Sequence, residues 1–421
     1  MSNQKKMPLL VKIAIGFILG IFIGFTLNAF FKEVLFVINW VIPTCDILGK
    51  IFLSCLRMLI VPLVFASLVV GAANIGDPKK LGRVGAKTMF LYVATTPIAI
   101  AIGLLLGNFI QPGLNMNIEG VTGTAREGKP LLDVFLAIIP TNPIDSMVKA
   151  DMLQIITFAL FFGVAAIYAG EKGKRAAAAM DSIAEVMYSM THIIMRFAPY
   201  GVFGLIAVTA YRYGPAILAP YAKVIFCVYA GCIIHAILVY TSIVVFYVKR
   251  SPIWFFKGIM NCLVTAFVTR SSSATLPVTI RDVRDNLGVS SELCSFTLPL
   301  GATINMDGTA LYQGVCALFV AQAFNIPMTL DMQLGVILTA TLASIGTAGV
   351  PGAGLIMLSM VLIGAGLPIE GIALLAGIDV VLDAARTCLN IMGDPCMTCA
   401  IARSEGEVLR GDPGDTRVWN D

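Results

Sequence analysis

Apolar residues in this chain run in long stretches at about 8–31, 34–71, 84–111, 131–170, 177–210 and 216–248. Each is near or above the ~20 residues that carry an α-helix across a hydrocarbon core of ~30 Å. Pro140, Pro143, Asp145 and Lys149 break the fourth stretch into pieces. The pattern predicts six crossings before residue 250. The first of them, Pro8 to Phe31 after Lys5 and Lys6, is too long for a signal-peptide core and ends on no small-residue cleavage site, so it reads as a transmembrane helix. A membrane β-barrel would show short alternating segments instead. The fold class this predicts is an all-α polytopic membrane protein.

After Lys249 and Arg250 the runs shorten and fill with Ser, Thr, Gly and Pro. Segment 251–285 turns over at "TRSSSATLPV" (269–278), and segment 332–365 at "SIGTAGVPGAG" (344–354). Each is apolar, then small and hydroxylated, then broken by proline, then apolar again. A helix with unexpected polar residues follows each: "NMDGTA" (305–310) after the first, "DVVLDAARTCLNIMGD" (379–394) after the second. Irregular backbone at membrane depth survives only where it is buried in protein or lines a cavity. Paired, interrupted apolar segments of this kind point to a transporter's binding site. Both are expected to be re-entrant hairpins, with Arg281, Asp282, Arg284 and Asp285 returning the first to the cytoplasmic side.

The stretch 379–394 carries the chemistry. At 100° per residue, Asp383 lies at roughly 40°, Arg386 at −20°, Asn390 at 20° and Asp394 at 60° from Asp379, all on one helix face. Asp383 and Arg386, three residues apart, can neutralise each other, but three acids share the face with one base, and Asp307 adds a fourth. The surplus calls for cations that are not side chains. Carboxylate, amide, hydroxyl and carbonyl oxygens suit hard ions, with Na⁺ first and H⁺ second. "NMDG", with Gly308 interrupting a helix, would free carbonyls for such an ion. His192 and His235 each stand alone in an apolar helix and read as core residues. Arg386 offers a planar fork to a carboxylate, Ser271, Ser272, Ser273 and the second hairpin tip offer donors to another, and Asp383 suits an ammonium. Together they describe an acidic amino acid.

Composition agrees. Of 421 residues, 58% are hydrophobic and 13% charged, against about 25% charged in soluble proteins, and mean hydropathy is +0.87. The net charge of +4 is scattered over loops and implies no nucleic acid. Lys5, Lys6, Lys79, Lys80, Arg83, Lys87, Lys172, Lys174, Arg175, Lys249, Arg250, Arg403 and Arg410 fall on one side of the predicted topology. Lys32, Arg126, Lys129, Arg212 and Lys223 fall on the other, so both termini are expected in the cytoplasm. The ten cysteines form no disulfide framework, and Cys396 and Cys399, though spaced CxxC, lack a second pair.

"TRSSSATLP", "NMDGTALYQG", "SIGTAGVPGAG" and "DAARTCLNIMGD" resemble the glutamate/aspartate transporters, the dicarboxylate/amino acid:cation symporters, in order and over essentially the whole chain. The resemblance implies eight transmembrane helices, two re-entrant hairpins related by inverted repeats, and a homotrimer in the cell (inner) membrane, in contact with lipid. A scaffold at about 8–71 and 131–210 would hold an elevator-like transport domain at about 84–111 and 216–402, gated by the second hairpin, with 403–421 as a cytoplasmic tail. It implies a substrate site of Arg386 for the side-chain carboxylate and Asp383 for the amino group, with Thr387, Asn390, Thr309, Ser272, Ser273, Gly349 and Arg270. Co-transported Na⁺ would take Asp394, Asn390, Asn305 and the Gly301 carbonyl at one site. A second would use carbonyls of Thr303, Ser344, Ile345 and Thr347. A third would use Asp307 and Asn305 with Tyr92, Thr95 and Thr96, whose "LYVATT" (91–96) follows the family pattern more loosely.

Two positions bear on coupling. Residue 313 is Gln where proton-coupled animal members carry an acid, and Arg270 precedes the serines as in archaeal members, with Ala384 where animal members place the arginine. Both imply a prokaryotic, sodium-driven carrier; the absence of N-x-[ST] sequons agrees. Arg386 favours acidic over neutral substrates, and Asp383 favours an amino acid over succinate or malate. An H⁺-coupled glutamate or C4-dicarboxylate carrier is the competing reading. A hydrolase is opposed by the absence of G-x-S-x-G, and a dedicated channel would not need the arginine–aspartate pair.

Overall fold

The structure is a computed structural model describing residues 9–73, 82–114, 116, 139–149, 152–344, 352–412 and 415. All regular structure among them is helical. Helix α1 spans Leu9–Phe30, α2 Ile42–Ala73 and α3 Gly82–Ile110. Then come α4 (Pro143–Lys149), α5 (Met152–Tyr168), α6 (Glu171–Met195) and α7 (Ala198–Tyr213). Helix α8 (Leu218–His235) continues through π-helical turns at Ala236–Thr241 and Ile243–Val248.

The first hairpin follows: α9 (Pro252–Gly258), α10 (Met260–Thr269) and α11 (Ser272–Arg281). Helices α12 (Ser291–Ile304) and α13 (Asp307–Ala323) come next, then the arms α14 (Leu330–Ser344) and α15 (Ala353–Gly364) of the second hairpin. Helices α16 (Gly371–Ala376) and α17 (Asp379–Ser404) complete the fold.

Val11–Phe30, Arg83–Ile110 and Ala198–Val248 are long and apolar enough to cross a membrane. One expected span divides. The stretch 177–210 is two helices parted at Arg196–Phe197, because Pro199 enters the first turn of α7 without an N–H to continue α6.

Helix association depends on close backbone approach where burying apolar surface gains little, and small residues permit it. Gly16, Gly20 and Gly24 line the α1–α7 seam. A Cβ on Gly16 would lie 2.3 Å from the Pro199 carbonyl oxygen, and one on Gly24 2.5 Å from the Ala210 Cβ. From the other side, Gly204 meets the Cys45 carbonyl of α2 at 2.3 Å in the same sense. Helices α5 and α6 also pack on α2, whereas α3, α8, α13, α17 and the hairpins pack around one another.

The first hairpin is cross-braced. Asp282, one of the charges expected to return this hairpin to the cytoplasmic side, is fully buried. Its carboxylate accepts from the Cys262 backbone N–H at 2.9 Å and the Asn261 amide at 3.3 Å. It thereby caps the first turn of α10 from across the hairpin, where free N–H groups and the helix dipole favour an anion. At the tip, Arg270 takes the left-handed conformation (φ 51°) and Ser271 caps α11 through the Ala274 N–H at 3.2 Å.

The C-terminal segment fastens the end of this region. Arg250 and Arg403 both bond Asp412, at 2.7 and 3.0 Å, while Glu405 pairs with Lys87 at 2.7 Å and with Arg83. The Lys87 and Arg83 hydrogen bonds hold the Glu405 carboxyl below its usual range. Replacing Gly16 by leucine forces the α1–α7 seam apart and should cost about 1–3 kcal/mol; the check is a lower thermal unfolding midpoint in detergent.

Candidate functional site

Helix α17 presents its polar stripe inward. Asp379, Asp383, Arg386, Asn390 and Asp394 are all buried, Arg386 to 1% exposure. Long side chains on a helix lean toward its N-terminus, so Arg386 reaches back one and two turns. Its Nη2 donates to Asp383 at 2.7 Å and its Nη1 to Asp379 at 2.8 Å. Tyr312 of α13 underlies the guanidinium, 4.1 Å from ring centroid to Cζ, a cation–π contact in a desolvated setting. Gly354, in the first turn of α15, comes so close that a Cβ there would lie 2.6 Å from Nη1.

The α12–α13 break supplies the second wall. It lies at Asn305 and Met306 (φ −83° and −119°), not at Gly308, which is already in the first turn of α13. Gly308 serves close approach instead: its Cβ would sit 2.3 Å from the Arg386 carbonyl oxygen. Its N–H donates to the Asn390 side-chain oxygen at 2.8 Å. The Asn390 amide turns to Met306 Sδ at 3.1 Å and to the Thr309 hydroxyl at 3.2 Å.

Two further carboxylates lie deeper. Asp394 accepts from the Asn305 amide at 2.8 Å, and the same amide bonds the Asn390 carbonyl at 2.9 Å. The Asn305 side-chain oxygen is buried with no partner among the described residues. A Cβ on Gly301 would lie 2.5 Å from Asp394 Oδ1 and 2.6 Å from the Tyr92 hydroxyl, so Tyr92 stands on the Asp394 side. Asp307, fully buried, accepts from Thr96 at 2.8 Å on one oxygen. Its other oxygen takes Tyr240 at 2.8 Å and His235 at 3.1 Å.

Of the residues expected in the site, Arg386, Asp383, Asn390, Thr309, Asn305, Asp394, Gly301, Tyr92, Asp307 and Thr96 are brought together in these contacts. Thr387 is buried beside Arg386 on α17, and Ser272 is buried while Ser273 is exposed at the start of α11. Thr95, Thr303 and Ser344 bond carbonyls of their own helices, Thr95 to Tyr92 at 3.2 Å, Thr303 to Leu300 at 2.9 Å and Ser344 to Thr341 at 2.7 Å. Arg270 keeps a buried Nε without a partner among the described residues. Ile345, Thr347 and Gly349 lie outside the described residues.

Four groups were not expected in this role. Asp379 was visible on the stripe, but only the reach of Arg386 makes it a partner. Tyr312 sits in "NMDGTALY" without a polar pattern to mark it. His235 does not stand alone, and Tyr240 joins it on Asp307; no local signal joins either to a residue in α13.

Four buried carboxylates, one buried guanidinium and unwound backbone between two helices form a polar core suited to moving charged cargo rather than to bond chemistry. The chain belongs to the sodium:dicarboxylate symporter family, whose model matches residues 9–404. It is a membrane transporter, not an enzyme. It is 37% identical to the proton/sodium-glutamate symport protein of Geobacillus stearothermophilus, over 96% of each chain. It is 34% identical to the proton/glutamate-aspartate symporter of Escherichia coli (strain K12), over 95% of this chain and 93% of that one. It is also 34% identical to the C4-dicarboxylate transport protein of Geobacter sp. (strain M21), over 86% and 84%.

Gly308→Ala would push α13 off the Arg386 backbone. Overpacking of this kind costs a few kcal/mol, so substrate half-saturation should rise about tenfold or more in uptake assays. Gly335→Ala, with nothing within 4 Å of its Cβ, should leave it unchanged.

Proposed function

We propose that this chain is a Na⁺-coupled symporter that imports an acidic amino acid, aspartate or glutamate. The observation that carries the reading is the charge balance of the site. Asp379 and Asp383 share Arg386, while Asp307 and Asp394 have no lysine or arginine partner among the described residues. Charge held at membrane depth has to be balanced, and co-transported cations balance it. The names of the glutamate, glutamate-aspartate and C4-dicarboxylate relatives support the substrate class.

In this reading the substrate's side-chain carboxylate takes the Arg386 fork in place of one resident carboxylate, and Asp383, so released, receives the ammonium. Thr387, Asn390, Thr309, the Ser272–Ser273 turn, Arg270 and Gly349 complete the site. Sodium binds at Asp394 with Asn390, Asn305 and Gly301; at the carbonyls of Thr303, Ser344, Ile345 and Thr347; and at Asp307 with Asn305, Tyr92, Thr95 and Thr96. Each net positive charge carried inward gains ~2.3 kcal/mol per 100 mV, so several Na⁺ with one anionic substrate harness the membrane potential.

The reading includes eight transmembrane helices, two re-entrant hairpins, a homotrimer and both termini in the cytoplasm. The dense packing of α5–α7 with α1 and α2, beside the helices around the polar core, supports a scaffold and an elevator-like transport domain. Proton coupling is the second reading, favoured by the proton-coupled names among the relatives.

Labelled aspartate uptake into proteoliposomes separates the two. An inward Na⁺ gradient should drive it, with glutamate competing and alanine and succinate not; uptake driven by an H⁺ gradient alone would replace the proposal with the second reading. Arg386→Cys should lose acidic substrates in favour of neutral ones, and Asp394→Asn should weaken the Na⁺ dependence more than the substrate discrimination. Unchanged aspartate affinity in Arg386→Cys would sink the role given to that arginine.

A further inference from the structure

Asp307 is gripped from a helix whose sequence suggests only packing. His235 and Tyr240 are five residues apart, and on a regular α-helix they would point about 140° from each other. The chain from Ala236 to Thr241 is instead π-helical, as is Ile243–Val248. A π turn closes on the fifth residue rather than the fourth, which brings positions five apart toward one side.

Both side chains end on the same Asp307 oxygen, Tyr240 at 2.8 Å and His235 at 3.1 Å. Their rings stand edge to face, with centroids 4.9 Å apart and planes at 89°. Thr96 holds the other oxygen from α3 at 2.8 Å. All three side chains are buried, His235 and Tyr240 completely. Gly393 of α17 makes room for this arrangement: a Cβ there would lie 2.5 Å from the Tyr240 hydroxyl and 2.3 Å from the Asn305 amide nitrogen. The hydroxyl thus bonds Asp307 on a spot that also adjoins the Asn305 amide. Pi turns are rare and concentrate at functional sites.

We propose that His235 and Tyr240 are positioning residues that set the cation affinity of Asp307. Two donors fill Oδ2 and fix the plane of the carboxylate, which turns Oδ1 and the Thr96 hydroxyl toward the cation. An ionised carboxylate only accepts, so the imidazole proton on this contact sits on Nε2. The proposal rests on Asp307 being a cation-binding carboxylate.

The test uses the full chain in proteoliposomes. It measures the Na⁺ concentration for half-maximal aspartate uptake and, separately, aspartate half-saturation at saturating Na⁺. His235→Ala and Tyr240→Phe each remove one hydrogen bond to a charged group and should raise half-saturating Na⁺ about tenfold, with aspartate half-saturation unmoved. His235→Gln keeps an N–H donor and should recover Na⁺ half-saturation to within about threefold of the parent.

A merely structural pair would lower folded yield or maximal rate and leave the Na⁺ half-saturation in place, and that result overturns the proposal. So does equal impairment of the His235→Gln and His235→Ala variants. If His235→Ala does not fold, Tyr240→Phe, which loses a single oxygen, decides by itself. Asp307→Asn separates the two levels: a normal Na⁺ dependence in that variant removes the cation reading of Asp307, and the proposal with it. A shifted dependence there, with Tyr240→Phe unchanged, overturns the positioning role alone.

Discussion

A guanidinium buried to 1% exposure is the constraint around which this molecule is arranged. An arginine at membrane depth is costly unless its charge and its donors are met. Here the charge is met twice, by Asp379 and Asp383, and the face of the fork by Tyr312. These partners come from two helices, so α13 and α17 must approach closely, and Gly308 and Gly354 allow backbone within contact distance of Arg386. The arrangement leaves Asp307 and Asp394 without a basic side chain among the described residues, and the cation question begins there.

The broken helix follows from the same requirement. Leaving the helical path at Asn305 and Met306 turns the Asn305 amide to Asp394 and starts α13 at Asp307. One interruption therefore serves both deep carboxylates and presents the Gly308 N–H to Asn390. Outside this core, cohesion is of another kind. The α1–α7 and α2–α7 seams are held by glycines that bring backbones together, and their tolerance is steric rather than electrostatic. The first hairpin is braced by the buried Asp282 cap, which ties its arms into one body.

Relatives of similar identity are named for sodium and proton, for glutamate, aspartate and C4-dicarboxylates. A fold shared across those names leaves specificity to a few contacts. In this chain those near the charged groups include Asp383 beside Arg386, and the histidine and tyrosine that hold Asp307.

Local pattern was enough for most of the long apolar helices and for the inward stripe of α17. Length, interruption and 100° periodicity are properties of neighbouring residues. The same stripe showed Asp383 with Arg386, because one helical turn is read directly from spacing, and it placed Asp379 on the face without making it a partner. It misplaced the break at Gly308, since a glycine looks alike whether it frees a turn or admits another backbone. It grouped Asp282 with the charges that return the hairpin to the cytoplasmic side and gave no sign of its burial, since an acid that caps a helix across a hairpin has no signature of its own. It set His235 aside, although Asp307 lies 72 positions away, and 67 from Tyr240. Those contacts depend on how α8 winds and on where α3, α13 and α17 cross it. Sequence determined which helices form and which face of α17 carries charge; only the tertiary structure decided which buried groups meet, because the partners of a buried carboxylate are chosen by packing between distant segments.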